Sequence, residues 1–144
     1  MGTINVNGLG SVKCEAKKFL AFLKQVEKWI QNEDVNLVCI QEHNLDPLLH
    51  ELYMRYAIES HMHLVIGYSK TTAHRGGTLI ISDEKTIPHV EDLHKEPSMV
   101  VARYSFNGKN MDIASVYAPS DSSKRLDFFS HMNQHLTRYT STGR

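Results

Sequence analysis

The sequence predicts a mixed α/β domain, and three local patterns carry that reading. Apolar residues recur at helical spacing over 14–32, Leu37-Val38-Cys39-Ile40 forms an unbroken apolar run, and Asn107-Gly108 separates two strand-like segments. Together they give helices that cover a buried sheet, with a long hairpin beside it.

The elements follow in order. Thr3 to Asn7 alternates, with Ile4 and Val6 on one side and Asn5 and Asn7 on the other, as a short strand does. Gly8-Leu9-Gly10 turns the chain. From Cys14 to Asn32, Phe19, Phe22, Leu23, Val26 and Ile30 share one helical face, and Lys17, Lys18, Lys24 and Lys28 take the wetter sides. Leu37 to Ile40 is apolar at odd and even positions alike, so both faces of that strand should be covered. It stops at Gln41-Glu42-His43. A short helix is expected near Pro47 to Tyr56, carrying Leu48, Leu49, Leu52 and Tyr56, with Pro47 suited to its first turn.

His63 to Gly67 and Gly77 to Ser82 read as strands, the second entered from the loop Thr71 to Gly76. Met99 to Phe106 and Lys109 to Tyr117 form a hairpin, because Asn-Gly tolerates the positive φ values of a type I′ turn. Ala118-Pro119 ends the second strand. The Ser120 to Ser123 cluster suits the cap of a last helix bearing Leu126, Phe129, Met132 and Leu136. Residues 1–139 form one domain with no internal repeat or linker, and Thr140 to Arg144 is an uncommitted tail.

Composition narrows the function. The 144 residues hold 16 Lys+Arg and 16 Asp+Glu, a formal net charge of zero. A strongly basic protein that coats nucleic acid by bulk attraction is thereby excluded, and any nucleic-acid contact must rest on a local site. Mean hydropathy of −0.36 and the lack of a long uncharged apolar run argue against a transmembrane helix. Two cysteines cannot build a disulfide framework and, with no secretory signal visible, an intracellular setting is expected.

Chemistry-bearing groups gather where strands end. Asn7, Glu42 and Tyr117 each close a strand, and ligands of layered α/β folds bind beyond such ends. If those strands are neighbours, a carboxamide, a carboxylate and a phenol meet at one rim. Glu42 would suit a hard cation such as Mg²⁺, Asn7 a ligand or phosphate oxygen, and Tyr117 a phosphate. Each also has an ordinary reading: Glu42 as the wet edge of the core, Asn7 as a turn former, Tyr117 as a packed aromatic with a solvated tip. His43 follows Glu42 directly and either lines the same rim or fills solvent-facing space.

The other groups are less promising. The pairs His61/His63 and His131/His135 lack the third and fourth ligands of a zinc site. Cys39 reads as a core residue, and Cys14 has lysines nearby but no base. His74-Arg75-Gly76-Gly77 suits either a phosphate-binding loop or a plain turn.

Four stretches, taken in order, resemble one pattern: Ile4-Asn5-Val6-Asn7-Gly8-Leu9, Val38-Cys39-Ile40-Gln41-Glu42-His43, Gly76-Gly77-Thr78-Leu79-Ile80-Ile81 and Val116-Tyr117-Ala118-Pro119. The pattern is that of the endonuclease/exonuclease/phosphatase superfamily with the DNase I-like fold. The sequence is most similar to the apurinic-endonuclease-like domains of non-LTR retrotransposons. The resemblance implies a four-layer α/β sandwich of which this chain is the N-terminal half, and a Mg²⁺-dependent endonuclease or phosphodiesterase acting on DNA. It assigns Glu42 to the metal, Asn7 to metal and phosphate, and Tyr117 to the scissile phosphate, with His43 a further substrate contact. Val116 to Pro119 favours the nucleic-acid branch over enzymes of phosphoinositides or other small phosphoesters.

Neither the Gly-Asp-Phe-Asn-like nor the Ser-Asp-His-like stretch of that family occurs in these residues. Those stretches supply further aspartates, an asparagine and the general-base histidine, so the expectation is a truncated domain inactive by itself. General acid–base assistance is typically worth ~10²–10⁴ in rate. Half of such a sandwich is also expected to expose an apolar sheet face, including the alternating Val100, Ala102, Tyr104 and Phe106. That face gives the alternative function, a non-catalytic module that binds a protein partner or self-associates.

Overall fold

The computed structural model describes residues 2–5, 15–69 and 76–117. Strands β1 (Gly2–Asn5), β2 (Leu37–Gln41), β3 (Met62–Gly67) and β4 (Thr78–Asp83) form one sheet in the order β1-β2-β4-β3. Within it β1 runs parallel to β2, and the other pairs are antiparallel. Strands β5 (His89–Glu96), β6 (Met99–Phe106) and β7 (Lys109–Val116) form an antiparallel second sheet. Two helices, α1 (Glu15–Asn32) and α2 (His50–Glu59), complete the described elements.

The unbroken apolar run of β2 is explained by two cores. On one face, Val38 and Ile40 meet Phe19, Leu23 and Val26 of α1 and Tyr53 and Ala57 of α2. On the other, Leu37 and Cys39 meet Val100, Ala102 and Tyr104 of β6. A strand alternating apolar and polar residues would leave one of these layers without a surface to cover. The layers are therefore helices, first sheet, second sheet.

This packing corrects one expectation. Val100, Ala102 and Tyr104 are buried, and Phe106 packs beside them, against the first sheet of the same chain. The exposed large apolar side chains among the described residues are Leu48, Ile58 and Met111, on three separate elements. No broad bare sheet face remains among those residues.

Two local differences have simple causes. Residues 47–49 form a 3₁₀ turn capped by Asp46, whose Oδ1 accepts from the Leu48 N–H at 3.0 Å. The tighter turn rotates Leu48 outward to 88% exposure, and Tyr53 and Ala57 take the inward positions of α2. Strand β5 is not foreseen, because His89, Glu91, Asp92, Lys95 and Glu96 give it no apolar period. It is an edge strand with a register shift between Asp92 and His94, and charge and bulges are how edges avoid further pairing.

The hairpin is as expected: Phe106 pairs with Lys109 across Asn107 and Gly108, whose φ values are 53° and 76°. Arg103, opposite Asp112, donates from Nε at 2.8 Å and from a terminal nitrogen at 3.1 Å. Cys39 is a buried free thiol whose pKa is pushed up by burial. No helix among the described residues is long and apolar enough to cross a membrane. The expected last helix, Cys14 and Asn7 lie outside the described residues.

Candidate functional site

One edge of the molecule collects the ends of β2, β3, β5 and β7 with the starts of β4 and β6. The parallel register of β1 on β2, Asn5 opposite Gln41, brings β1 to the same edge. Asn7 lies two positions further along the sequence.

Glu42 is the first residue past β2, and its backbone is left-handed with φ at 55°. Non-glycine residues rarely adopt that conformation, which costs on the order of 1 kcal/mol, so neighbouring contacts must hold it. The Glu42 N–H donates to Gly77 O at 2.8 Å, and the Asn44 N–H donates to Gly76 O at 2.9 Å. In return the Gly76 N–H donates to Asn44 Oδ1 at 2.6 Å. Gly77 is needed here: its φ is 93°, and a Cβ would lie 2.4 Å from His43 Nε2.

Tyr117 approaches from the second sheet. Its N–H donates to Ser98 O at 2.9 Å, and its hydroxyl stands beside the Glu42 side chain. The carboxylate beside it, with some burial, pushes the phenol pKa up. The structure thus joins Glu42 and Tyr117, which are 75 positions apart in sequence.

Gln41 is a residue that the sequence reading missed. Its Nε2 donates to Val116 O at 2.7 Å, linking the two sheets immediately before Glu42 and Tyr117. The available signal was its place as the polar residue closing a buried strand.

His43 is not at the rim. The ring is fully buried, Nε2 donates to Gly67 O at 2.9 Å, and Nδ1 accepts from the Leu45 N–H at 2.9 Å. This pair of bonds fixes the neutral tautomer. Burial lowers the pKa from 6.5 to about 4, only partly offset by hydrogen bonds to the backbone at Gly67 and Thr78. The turn at Glu42 reverses the side-chain direction, so His43 points into the core and pins the loop, leaving no surface for substrate.

Among the described residues, no group of three or more His, Cys, Asp or Glu side chains converges on one point. A hard cation at this edge would have Glu42 as its described carboxylate, with waters and a phosphate completing its shell. That donor set fits Mg²⁺, which commonly uses only one or two carboxylates.

The chain is similar to several solved structures. One is the endonuclease domain of TRAS1, a telomere-specific non-LTR retrotransposon, at 12% identity and a TM-score of 0.53, covering 90% of this chain and 51% of that one. Another is a humanized D. rerio TDP2 carrying 14 mutations, at 15% identity and a TM-score of 0.57, covering 97% of this chain and 55% of that one. A third is the AP endonuclease LMAP from Leishmania major, at 17% identity and a TM-score of 0.58, covering 88% of this chain and 42% of that one. No protein-family model and no curated protein matches the sequence. The fold is DNase I-like, and the chain spans about half the length of those structures.

Proposed function

We propose that these residues are the first half of a Mg²⁺-dependent phosphodiesterase domain acting on DNA, and that the 144 residues alone do not turn over. The observation that carries this reading is the Glu42–Tyr117 pair, set across two sheets at the shared edge of a DNase I-like fold. Glu42 holds the cation, and Asn7 orients a metal or phosphate oxygen. Tyr117, kept protonated beside the carboxylate, donates to the substrate phosphate. Such a cation supplies Lewis-acid stabilisation of the charge that develops on the phosphoryl group. The solved structures it is similar to include an AP endonuclease and a retrotransposon endonuclease, which supports DNA as the substrate class.

Inactivity of the chain alone follows from the absence of a Gly-Asp-Phe-Asn-like or Ser-Asp-His-like stretch within the sequence. The resemblance assigns the second metal-holding carboxylate and the histidine base that activates water to those stretches. Supercoiled plasmid incubated with this chain and Mg²⁺ should stay supercoiled. Adding the missing half of a related domain in trans, or fusing it, should produce nicks that Glu42→Gln abolishes. Nicking by the 144 residues alone that disappears in Glu42→Gln overturns the inactivity, and complemented nicking indifferent to Glu42→Gln overturns the site.

A further inference from the structure

A second feature adjoins the Glu42 edge and is not used by the chemistry above. A groove of about 490 Å³ runs between the start of α2 and the β5–β6 turn. Pro47, Ile66, Tyr68 and Pro97 give it flat apolar walls, and His50 and Lys95 stand along it. We infer that this groove is a nucleotide subsite, seating the base and sugar next to the phosphate held at Glu42 and Tyr117. The inference rests on the phosphodiesterase reading and extends it to how a nucleic-acid strand is held.

Continuity with the site is the first support. Gly67, in the groove, accepts the hydrogen bond of His43, the residue beside Glu42. Pro97, on the opposite wall, precedes Ser98, whose carbonyl holds the Tyr117 N–H. One wall is therefore hydrogen bonded to the residue after Glu42, and the other is continuous with the residue that holds the Tyr117 backbone. A strand with one phosphate at that pair must place a neighbouring nucleotide close by, because successive units are covalently joined.

Chemistry is the second support. The Tyr68 ring packs edge-on between two imidazoles, with centroids 5.8 Å from His43 and 5.5 Å from His50. Its hydroxyl lies 2.6 Å from His50 Nδ1. With the phenol donating there, the proton of the exposed His50 ring sits on Nε2, ready for a base-edge acceptor. Lys95 is half exposed, and its pairing with Asp92 at 3.5 Å is a weak surface contact that a base carbonyl can replace. Glu96, also in the groove, lies 3.2 Å from His94 Nε2, and its carboxylate disfavours a bare anion there. Apolar walls with few polar groups suit an unstacked base and sugar better than a bare anion.

The test is NMR titration of the full chain in Mg²⁺-free buffer with three probes: thymidine 5′-monophosphate, thymidine and inorganic phosphate. The nucleotide should shift His50, Tyr68 and Lys95 signals saturably, thymidine should shift His50 and Tyr68 more weakly, and phosphate should leave them unmoved. His50→Gln and Tyr68→Leu should each weaken nucleotide binding roughly tenfold, the scale of one stacking or hydrogen-bonding contact. His50→Gln removes an exposed group, so its result stands even if Tyr68→Leu disturbs the packing on His43. Nucleotide shifts absent from these residues, shifts reproduced by inorganic phosphate, or an affinity unchanged in His50→Gln each overturn the subsite. A parallel titration with Mg²⁺ alone reads the metal site separately: Mg²⁺ should shift the Glu42 signals, and shifts unchanged in Glu42→Gln sink the metal reading without touching the subsite.

Discussion

Gln41 Nε2 donates to Val116 O over 2.7 Å, and this single bond ties the two sheets together one residue before each member of the Glu42–Tyr117 pair. The edge is therefore set by a side chain reaching between sheets, in addition to the apolar packing behind it. Replacing Gln41 with Leu keeps most of the volume and leaves the Val116 carbonyl without its partner. Urea unfolding of Gln41→Leu should show a loss of about 1–2 kcal/mol, the usual cost of a partly buried hydrogen bond whose acceptor is stranded. An unchanged midpoint would show that the tie is incidental.

Glu42 occupies a left-handed backbone conformation that glycine adopts without cost, with φ at 55°. Comparing Glu42→Gly with Glu42→Ala removes the carboxylate in both and isolates the backbone. The glycine variant should be the more stable by about 1 kcal/mol in thermal or urea unfolding. Stability that is sacrificed at one residue points to a function that needs its side chain there. Equal stability of the two variants would mean that the conformation carries no strain.

At Gly67 the two sheets approach closely. A Cβ at that position would lie 2.1 Å from Glu96 O and 2.9 Å from Val100 Cγ1, and the first of these is rigid backbone. Gly67→Ala must push β5 and β6 away from β3, at a cost of more than about 3 kcal/mol. Circular dichroism melts would register this as a large drop in Tm or a loss of the cooperative transition. A variant melting within a few degrees of the parent would show that the sheets can separate freely.

The buried His43 ties stability to pH. Its folded-state pKa is lowered from 6.5 to about 4 by desolvation. Above pH 6.5 the ring is neutral in both states and the contribution is fully present. As pH falls, the unfolded chain takes up a proton that the folded chain refuses, so stability declines between 6.5 and about 4. The full loss is on the order of 3 kcal/mol, from the shift converted at about 1.4 kcal/mol per pKa unit. His43→Gln should flatten that part of the pH–stability curve while lowering stability at pH 7. An equally steep curve in the variant would assign the slope to other groups.

Much of the fold can be read in the sequence because several patterns admit one physical solution. An apolar run with no alternation, Leu37 to Ile40, has to lie between two layers, and it does. Asn107-Gly108 supplies the two positive φ values its hairpin needs. Strand β5 was hidden because its partners are backbone groups of β6 and its side chains are largely polar, so no periodicity marks it. The coverage of the second sheet's inner face was missed for a related reason. Alternation in Val100, Ala102 and Tyr104 shows that a face is buried but does not say by what. At the edge, residue type and strand position single out Glu42 and Tyr117. His43 misleads because a left-handed turn between it and β2 changes which neighbour faces solvent, and no residue-level signal announces that turn. Gln41 is invisible for the opposite reason: its partner is a backbone carbonyl 75 positions away.

The metal-holding role proposed for Glu42 is tested most directly by Mn²⁺ titration of the isotopically labelled chain, following paramagnetic broadening residue by residue. Broadening should start at Glu42 and Tyr117, spread along that edge, and vanish in Glu42→Gln. Broadening centred elsewhere, for instance at His63 and Asp92, or persisting undiminished in Glu42→Gln, would contradict it.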